Sequence, residues 1–212
     1  MPKTDPMAIR SPLQRADATR FLQRATFGAR SGDVDALIGR GVDGWFDDQM
    51  ALTAAEPHLD RKLRTSESVH RSYWRAVLSE PDQLRRRVGY ALSQILVTSA
   101  NDLGQTTIAN YMDLLEQHAF DNFRELLEAV SRSQAMGDYL TYRNNRKADP
   151  RRGRVPDENY ARELMQLFTI GLWELEADGT QRLSGGEPVP TYDQDDISGL
   201  ARVFTGWGSR QS

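Results

Sequence analysis

The sequence predicts an all-α fold, an irregular multi-helix domain of about nine or ten helices. Three observations carry this. Apolar residues recur at three- and four-residue steps through most of the 212 residues. No stretch alternates apolar and polar long enough to require a strand. Glycines stand where the periodic runs stop, as at Gly28, Gly171 and Gly206. The exception to helix is 174–190, where Gly179, Gly185, Gly186, Pro188 and Pro190 predict a loop or a small hairpin.

In chain order, residues 1–17 form a flexible N-terminal segment and 18–212 a single helical domain. Phe21, Leu22, Ala25 and Thr26 make a short helix ending near Gly28. Ser31 is placed to cap a second helix through Val34, Leu37 and Ile38, closed by Gly39 or Gly41. Trp45, Phe46, Met50 and Leu52 mark a third. A longer helix starts after Ser66, with Val69, Tyr73, Val77 and Leu78 as its apolar stripe. Pro81 fits the first turn of the next, in which Leu84, Val88, Ala91, Leu92 and Ile95 recur. The pattern continues through Ile108, Met112 and Leu115, then Phe123, Leu126, Leu127 and Val130, then Met136, Tyr139 and Leu140. A charged helix opens at Pro156 and closes at Gly171. A last one begins at TYDQDD, where Thr191 and Gln194 have the spacing of a capping box, with Ile197, Leu200, Ala201 and Phe204 inside.

Composition excludes several classes of function. The net charge of -3 speaks against bulk nucleic-acid binding, which calls for a basic stripe or domain. There is no cysteine, so disulfides, thiol catalysis and thiolate metal sites are out. The N-terminus lacks the apolar core of a signal peptide, and the longest apolar run, near Tyr90 to Val97, is too short to span a bilayer. As it stands the sequence predicts a soluble, cytoplasmic chain.

The densest chemistry lies in PDENYARELMQLFTIGL, Pro156 to Leu172. Acids at its start complement the helix dipole. Glu158 and Arg162, and Asn159 and Glu163, are each four apart, a spacing worth about 0.2–0.5 kcal/mol per exposed pair. Tyr160, Leu164, Leu167 and Phe168 form the buried stripe. Helix physics therefore explains most of the segment without a substrate. The functional alternative has Glu158, Asn159, Arg162 and Glu163 facing a cleft, a desolvated carboxylate acting as acid or base. Just upstream, Arg143, Arg146, Lys147, Arg151, Arg152 and Arg154 face only Asp149. This basic loop either folds back onto acids or holds an anionic ligand. No P-loop accompanies it, so a nucleotide is not expected.

Other motifs are weaker. Glu67 and His70 give one Glu-x-x-His step where a di-metal carboxylate site needs two, so no metal and no cofactor is expected. DQDD at Asp193 to Asp196 reads as helix-start acids, lacking the glycine and distal Glu of a calcium loop. His118 reads as a helix-end or half-buried histidine. The four tryptophans are assigned to the core, with Trp173 and Trp207 the two placed to rim a pocket.

The runs ADPRRGRVPDENYARELMQLFTIGLWEL and PVPTYDQDDISGLARVFTGWG resemble the bacterial family known as domain of unknown function 1800. So do FLQRATFGAR and HAFDNFRELLEAVSRSQAMGDYL. The resemblance runs from about residue 18 to 208, with ENYARE and FTGW as its specific motifs. It implies a mostly helical fold, and it implies that this chain is the N-terminal part of a larger family domain, a fragment or a truncated reading frame. It also implies relatives that are often exported and encoded beside a sulfatase-like partner. It supplies no reaction. It does mark Glu158 to Glu163 and Thr205 to Trp207 as signature positions. Two functions follow as expectations. One is a helical binding or assembly module acting with a partner protein. The other is an enzyme of unassigned reaction on an anionic small molecule or glycan. In it Glu158 or Glu163, with His118, would be catalytic candidates, and Asn159, Arg162, Arg151, Arg152, Arg154 and Trp207 binding candidates.

Overall fold

The computed structural model describes residues 13–53, 56–65 and 68–208, which carry ten α-helices and one two-stranded sheet. The all-α class with nine or ten helices is borne out. Ser66 and Glu67, like residues 1–12 of the N-terminal segment, lie outside the described residues. The chain packs as two compact units. One takes residues up to Leu92 with Met112–Leu126, the other Ser93–Tyr111 and the chain from Leu127 onward. Helical periodicity does not reveal that division, because the same 3.6-residue pattern runs through both units.

In the first unit, α1 (Arg15–Ala25) buries Ala18 and Leu22. Helix α2 (Asp33–Ala51) bends at Gly41, whose φ of 77° and ψ of 164° leave the helical region. The two helices expected here are its two arms, and only glycine takes that backbone readily. Ser31 does not cap α2. Gly32 occupies the N-cap, and the Asp33 carboxylate accepts the Arg30 N–H at 2.7 Å. Phe21, Val34, Ile38 and Trp45 pack on the buried Ala18, Leu22 and Leu37. Phe21 meets Trp45 edge-on at 5.0 Å, a favoured aromatic geometry.

Helix α3 (His58–Thr65) is followed by α4 (Val69–Ser79), whose N-cap Ser68 accepts the Arg71 N–H. Helix α4 buries Val69, Ser72, Tyr73, Ala76 and Val77. Leu78, expected in the stripe, is 73% exposed, because it follows Val77 by 100° of helix rotation. Helix α5 (Gln83–Ile95) starts two residues beyond Pro81, so the proline lies outside the helix and not in its first turn. Helix α6 spans Gln105–Gln117.

The second unit contains the end of α7 (Phe123–Ser131), then α8 (Gln134–Tyr139) and a 3₁₀ turn at Pro150–Arg152. Helix α9 (Asn159–Glu163) continues directly into a π turn over Leu164–Phe168, and Gly171 ends the segment at φ 76°. The π turn corrects the expected stripe. Tyr160 and Phe168 are buried, but Leu167 is 61% exposed, because the i→i+5 turn shifts the face that follows it.

Residues 172–191 form a small β collar. Strands β1 (Leu183–Ser184) and β2 (Glu187–Pro188) are joined by Gly185 and Gly186 at φ 63° and 91°, the positive-φ pair of a tight hairpin. The Glu174 N–H donates to the Val189 carbonyl, the Arg182 N–H to that of Glu174, and the Val189 N–H to that of Arg182, at 2.9, 2.8 and 3.0 Å. Helix α10 (Gln194–Val203) has a capping box formed by Asp193 and Asp196, not Thr191 and Gln194. The Thr191 hydroxyl donates instead to the Gly171 carbonyl. Ala161, Ile197 and Ala201 bury together with Met165, Tyr192 and Leu200 against them. Trp74, Trp173 and Trp207 are exposed, against the expectation of core tryptophans.

Candidate functional site

The signature motifs meet at the loop 141–146. Asn145 is buried and acts as a backbone substitute: its Oδ1 accepts the Asp157 N–H at 2.9 Å and its Nδ2 donates to the Asp157 carbonyl at 3.1 Å. The same residue's carbonyl accepts the Gly206 N–H at 2.8 Å, and the Asn144 N–H donates to the Trp207 carbonyl at 2.7 Å. One short loop thus ties the start of the ENYARE segment to the end of the FTGW segment. Thr141 and Asn144 hold φ of 64° and 67° to do so. For β-branched Thr141 that backbone is an outlier. Its hydroxyl donates to Asp157 Oδ2 at 2.9 Å.

The signature side chains divide by role. Tyr160 is buried, its hydroxyl paired with Ser131 Oγ at 2.6 Å, and burial raises its pKa. Its ring lies 4.4 Å from that of Tyr142 and 4.8 Å from that of Phe204, which extends the aromatic packing to the FTGW segment. Glu158 reaches across to α10. Its carboxylate accepts from Gln194 Nε2 at 3.0 Å and Ser198 Oγ at 2.8 Å, and from Arg162 Nη2 at 2.9 Å. Arg162 Nη2 also donates to Gln194 Oε1 at 3.0 Å. The bonds from Gln194, Ser198 and Arg162 hold the Glu158 carboxyl below its ordinary pKa. The sequence-expected Glu158–Arg162 pair is therefore formed. The Asn159–Glu163 pair is not: the Asn159 amide donates to Thr141 Oγ1, and half-buried Glu163 has no polar side-chain partner among the described residues.

The basic loop folds back only in part. Arg152 and Arg154 share Asp149 at 3.6 and 3.7 Å, Arg154 Nε donates to the Lys147 carbonyl, and Arg143 pairs with Asp138. None of them reaches Glu158. Trp207 lies at the FTGW end, its Nε1 donating to the Val203 carbonyl at 3.2 Å. His118 belongs to the first unit, follows α6 and pairs with Asp121 at 2.8 Å.

The first unit also holds a buried charged cluster that sequence reading missed. Arg86 Nη1 donates to Glu116 Oε2 at 2.5 Å and to His58 Nε2 at 3.1 Å, and Arg86 Nε to Asp82 Oδ1 at 3.3 Å. Glu116 Oε1 also lies 3.3 Å from His58 Nε2, so that nitrogen faces both a guanidinium and a carboxylate, while His58 Nδ1 pairs with Ser72 Oγ at 2.9 Å. Burial opposes the Arg86 charge, but Glu116 and Asp82 outweigh it and raise its pKa. Asp113 caps α3 from outside, accepting the His58 and Leu59 N–H groups at 2.6 and 2.9 Å. Burial raises the Asp113 pKa against those two bonds. Ligand atoms of His58, Asp113 and Glu116 lie within 4.8 Å of one another, close enough to hold a metal ion. Arg86 already supplies the cation at Glu116 and His58, however, so a divalent ion there would stand against a guanidinium. The cluster reads as a polar core paired within itself except at Arg86 Nη2, which is buried without a hydrogen-bond partner among the described residues. The signals for it in the sequence were the four-residue spacing of Asp82 and Arg86 and the density of charge in LRRRV and DLLEQH, both of which also suit solvated helix faces.

The fold defines the class: a mostly helical protein. The chain belongs to the family described as "Protein of unknown function (DUF1800)", whose model matches residues 20–212. No curated protein and no solved structure matches it. No helix of the described residues is long and apolar enough to cross a membrane.

Proposed function

We propose that the chain is a binding or assembly module that works with a protein partner. The observation that carries this reading is the apolar surface of 167–183, where Leu167, Ile170, Leu172, Leu175 and Leu183 are 44–61% exposed. They sit on backbone fixed by the π turn and the β collar. Large apolar side chains left exposed along an ordered segment are a common feature of interaction sites. The acid–base reading fits less well. A general acid needs a carboxyl raised toward neutrality, whereas three donors favour the ionised form of Glu158. That leaves Glu163 as the free carboxylate of the signature. The sulfatase-like partner implied by the family resemblance is the first candidate.

The test is site-specific photo-crosslinking in the native cell, with the reactive residue at Leu175, at Leu183, or at exposed Arg71 of the first unit as control. The reading expects the same single adduct from Leu175 and Leu183 and none from Arg71. No adduct from either leucine, or the same adduct from all three, overturns it.

A further inference from the structure

A cleft of about 450 Å³ opens between the loop and the start of the signature, lined by Thr141, Arg143, Asn144, Arg146, Arg154 and Asp157 among others. Its wall carries three arginines and one acid, and two of the arginines also face acids outside it. Arg143 is held by Asp138, and Arg154 keeps Nε on the Lys147 carbonyl with Nη2 3.7 Å from Asp149. Arg146 is exposed, and its guanidinium has no partner among the described residues. The acid in the wall, Asp157, is already occupied: one oxygen accepts from Thr141 and the other from the Asn159 N–H at 2.8 Å. The Asn144 side chain makes no hydrogen bond among the described residues. The backbone of this wall also holds β-branched Thr141 at positive φ, an outlier. Such strain gathers where a ligand is bound.

We infer that this cleft binds a small-molecule phosphate or sulfate ester. Guanidinium groups recognise oxyanions by forked, charge-assisted hydrogen bonds. A tetrahedral ester presents three free oxygens to Arg143, Arg146 and Arg154, where a carboxylate presents two. The cleft falls in the size range of small-molecule pockets, about 300–1,000 Å³, and so has room for the body that carries the anion. Asn144 is the polar group left to contact that body. The inference does not rest on the partner reading, which concerns a different surface.

The test is an NMR titration of the full chain with glucose 6-phosphate, glucose 6-sulfate, glucose and acetate. The amide signals of Asn144 and Arg146 report the cleft. Saturable shifts with at least one of the two esters, and none with glucose, are expected, and the stronger ester identifies the anion. Arg146→Gln should weaken binding by about tenfold or more, the loss of one charge-assisted interaction, and Arg146→Lys by less. Arg71→Gln removes one positive charge from the first unit and should leave binding unchanged. Absence of saturable shifts with both esters overturns the inference. So does equal weakening by Arg71→Gln, which would mark a general charge effect, or acetate binding as tightly as the esters.

Discussion

Replacing Glu158 by glutamine tests whether the signature helix is fastened to α10. The substitution keeps the shape and one acceptor, removes the charge, and turns an amide donor toward groups that themselves donate. Ser198 and Gln194 each donate to this carboxylate, and bonds to a charged acceptor contribute about 1.5–3 kcal/mol each where shielded. Here the Glu158 side chain is 30% exposed and Arg162 45%. The ion pair therefore adds less than about 1 kcal/mol, and the hydrogen bonds are partly screened. A total loss of about 2 kcal/mol follows, or roughly 4–8 °C in Tm for a chain of this size. The assay is urea unfolding followed by tryptophan fluorescence, with Ser198→Ala and the double variant completing a cycle. A coupling energy of about 0.5 kcal/mol or more is expected. The pH dependence has a fixed sign. A carboxyl lowered in the fold stabilises above its unfolded pKa, and that contribution is lost as pH falls through the folded value. The cost of Glu158→Gln should therefore be full at pH 7 and fade in acid. Glu163→Gln, at a side chain with no polar partner, should stay within about 0.5 kcal/mol of wild type. A Glu158→Gln variant as stable as wild type, with zero coupling to Ser198→Ala, would show that the helix is not fastened through this carboxylate.

Arg86→Met leaves Asp82 and Glu116 buried without their cation, and should cost about 3–5 kcal/mol by denaturant unfolding. Asp113→Asn should show the opposite pH trend to Glu158→Gln. Burial raises the Asp113 pKa, so wild type loses stability as pH rises through the folded value, and the cost of the variant should shrink from acid to neutral pH. Asp193→Ala removes the cap of α10 and should cost about 1 kcal/mol in the same assay. Leu167→Glu, on the exposed side of the π turn, should change stability by less than about 0.5 kcal/mol, while Phe168→Ala should cost about 3–5 kcal/mol.

What the sequence revealed was local. Periodic stripes located most helices, and the four-residue spacing of Glu158 and Arg162 foretold their pair. Glycines marked the bend at Gly41 and the stop at Gly171. What it concealed depends on residues far apart in the chain. Helix α3 is capped by Asp113, which no local rule connects to His58. The π turn after Glu163 changed which leucine faces the core, and nothing in LMQLF distinguishes it from an ordinary helical turn. The fastening of Glu158 required Gln194 and Ser198 on α10, and the buried position of Arg86 required Glu116, thirty residues on, besides Asp82 one helical turn before it. Charged residues are usually solvated, so their partners become visible only in the fold.

The Glu158 end of the signature is bonded to Gln194 and Ser198 of α10, bonds that favour its ionised carboxylate. Titration of the Glu158 carboxyl carbon by NMR tests this most directly, assigned by comparison with Glu158→Gln. A midpoint below the usual glutamate value is expected, with no titration between pH 5 and 8. A midpoint raised to about 6 or above, where a general acid would be poised, would contradict it.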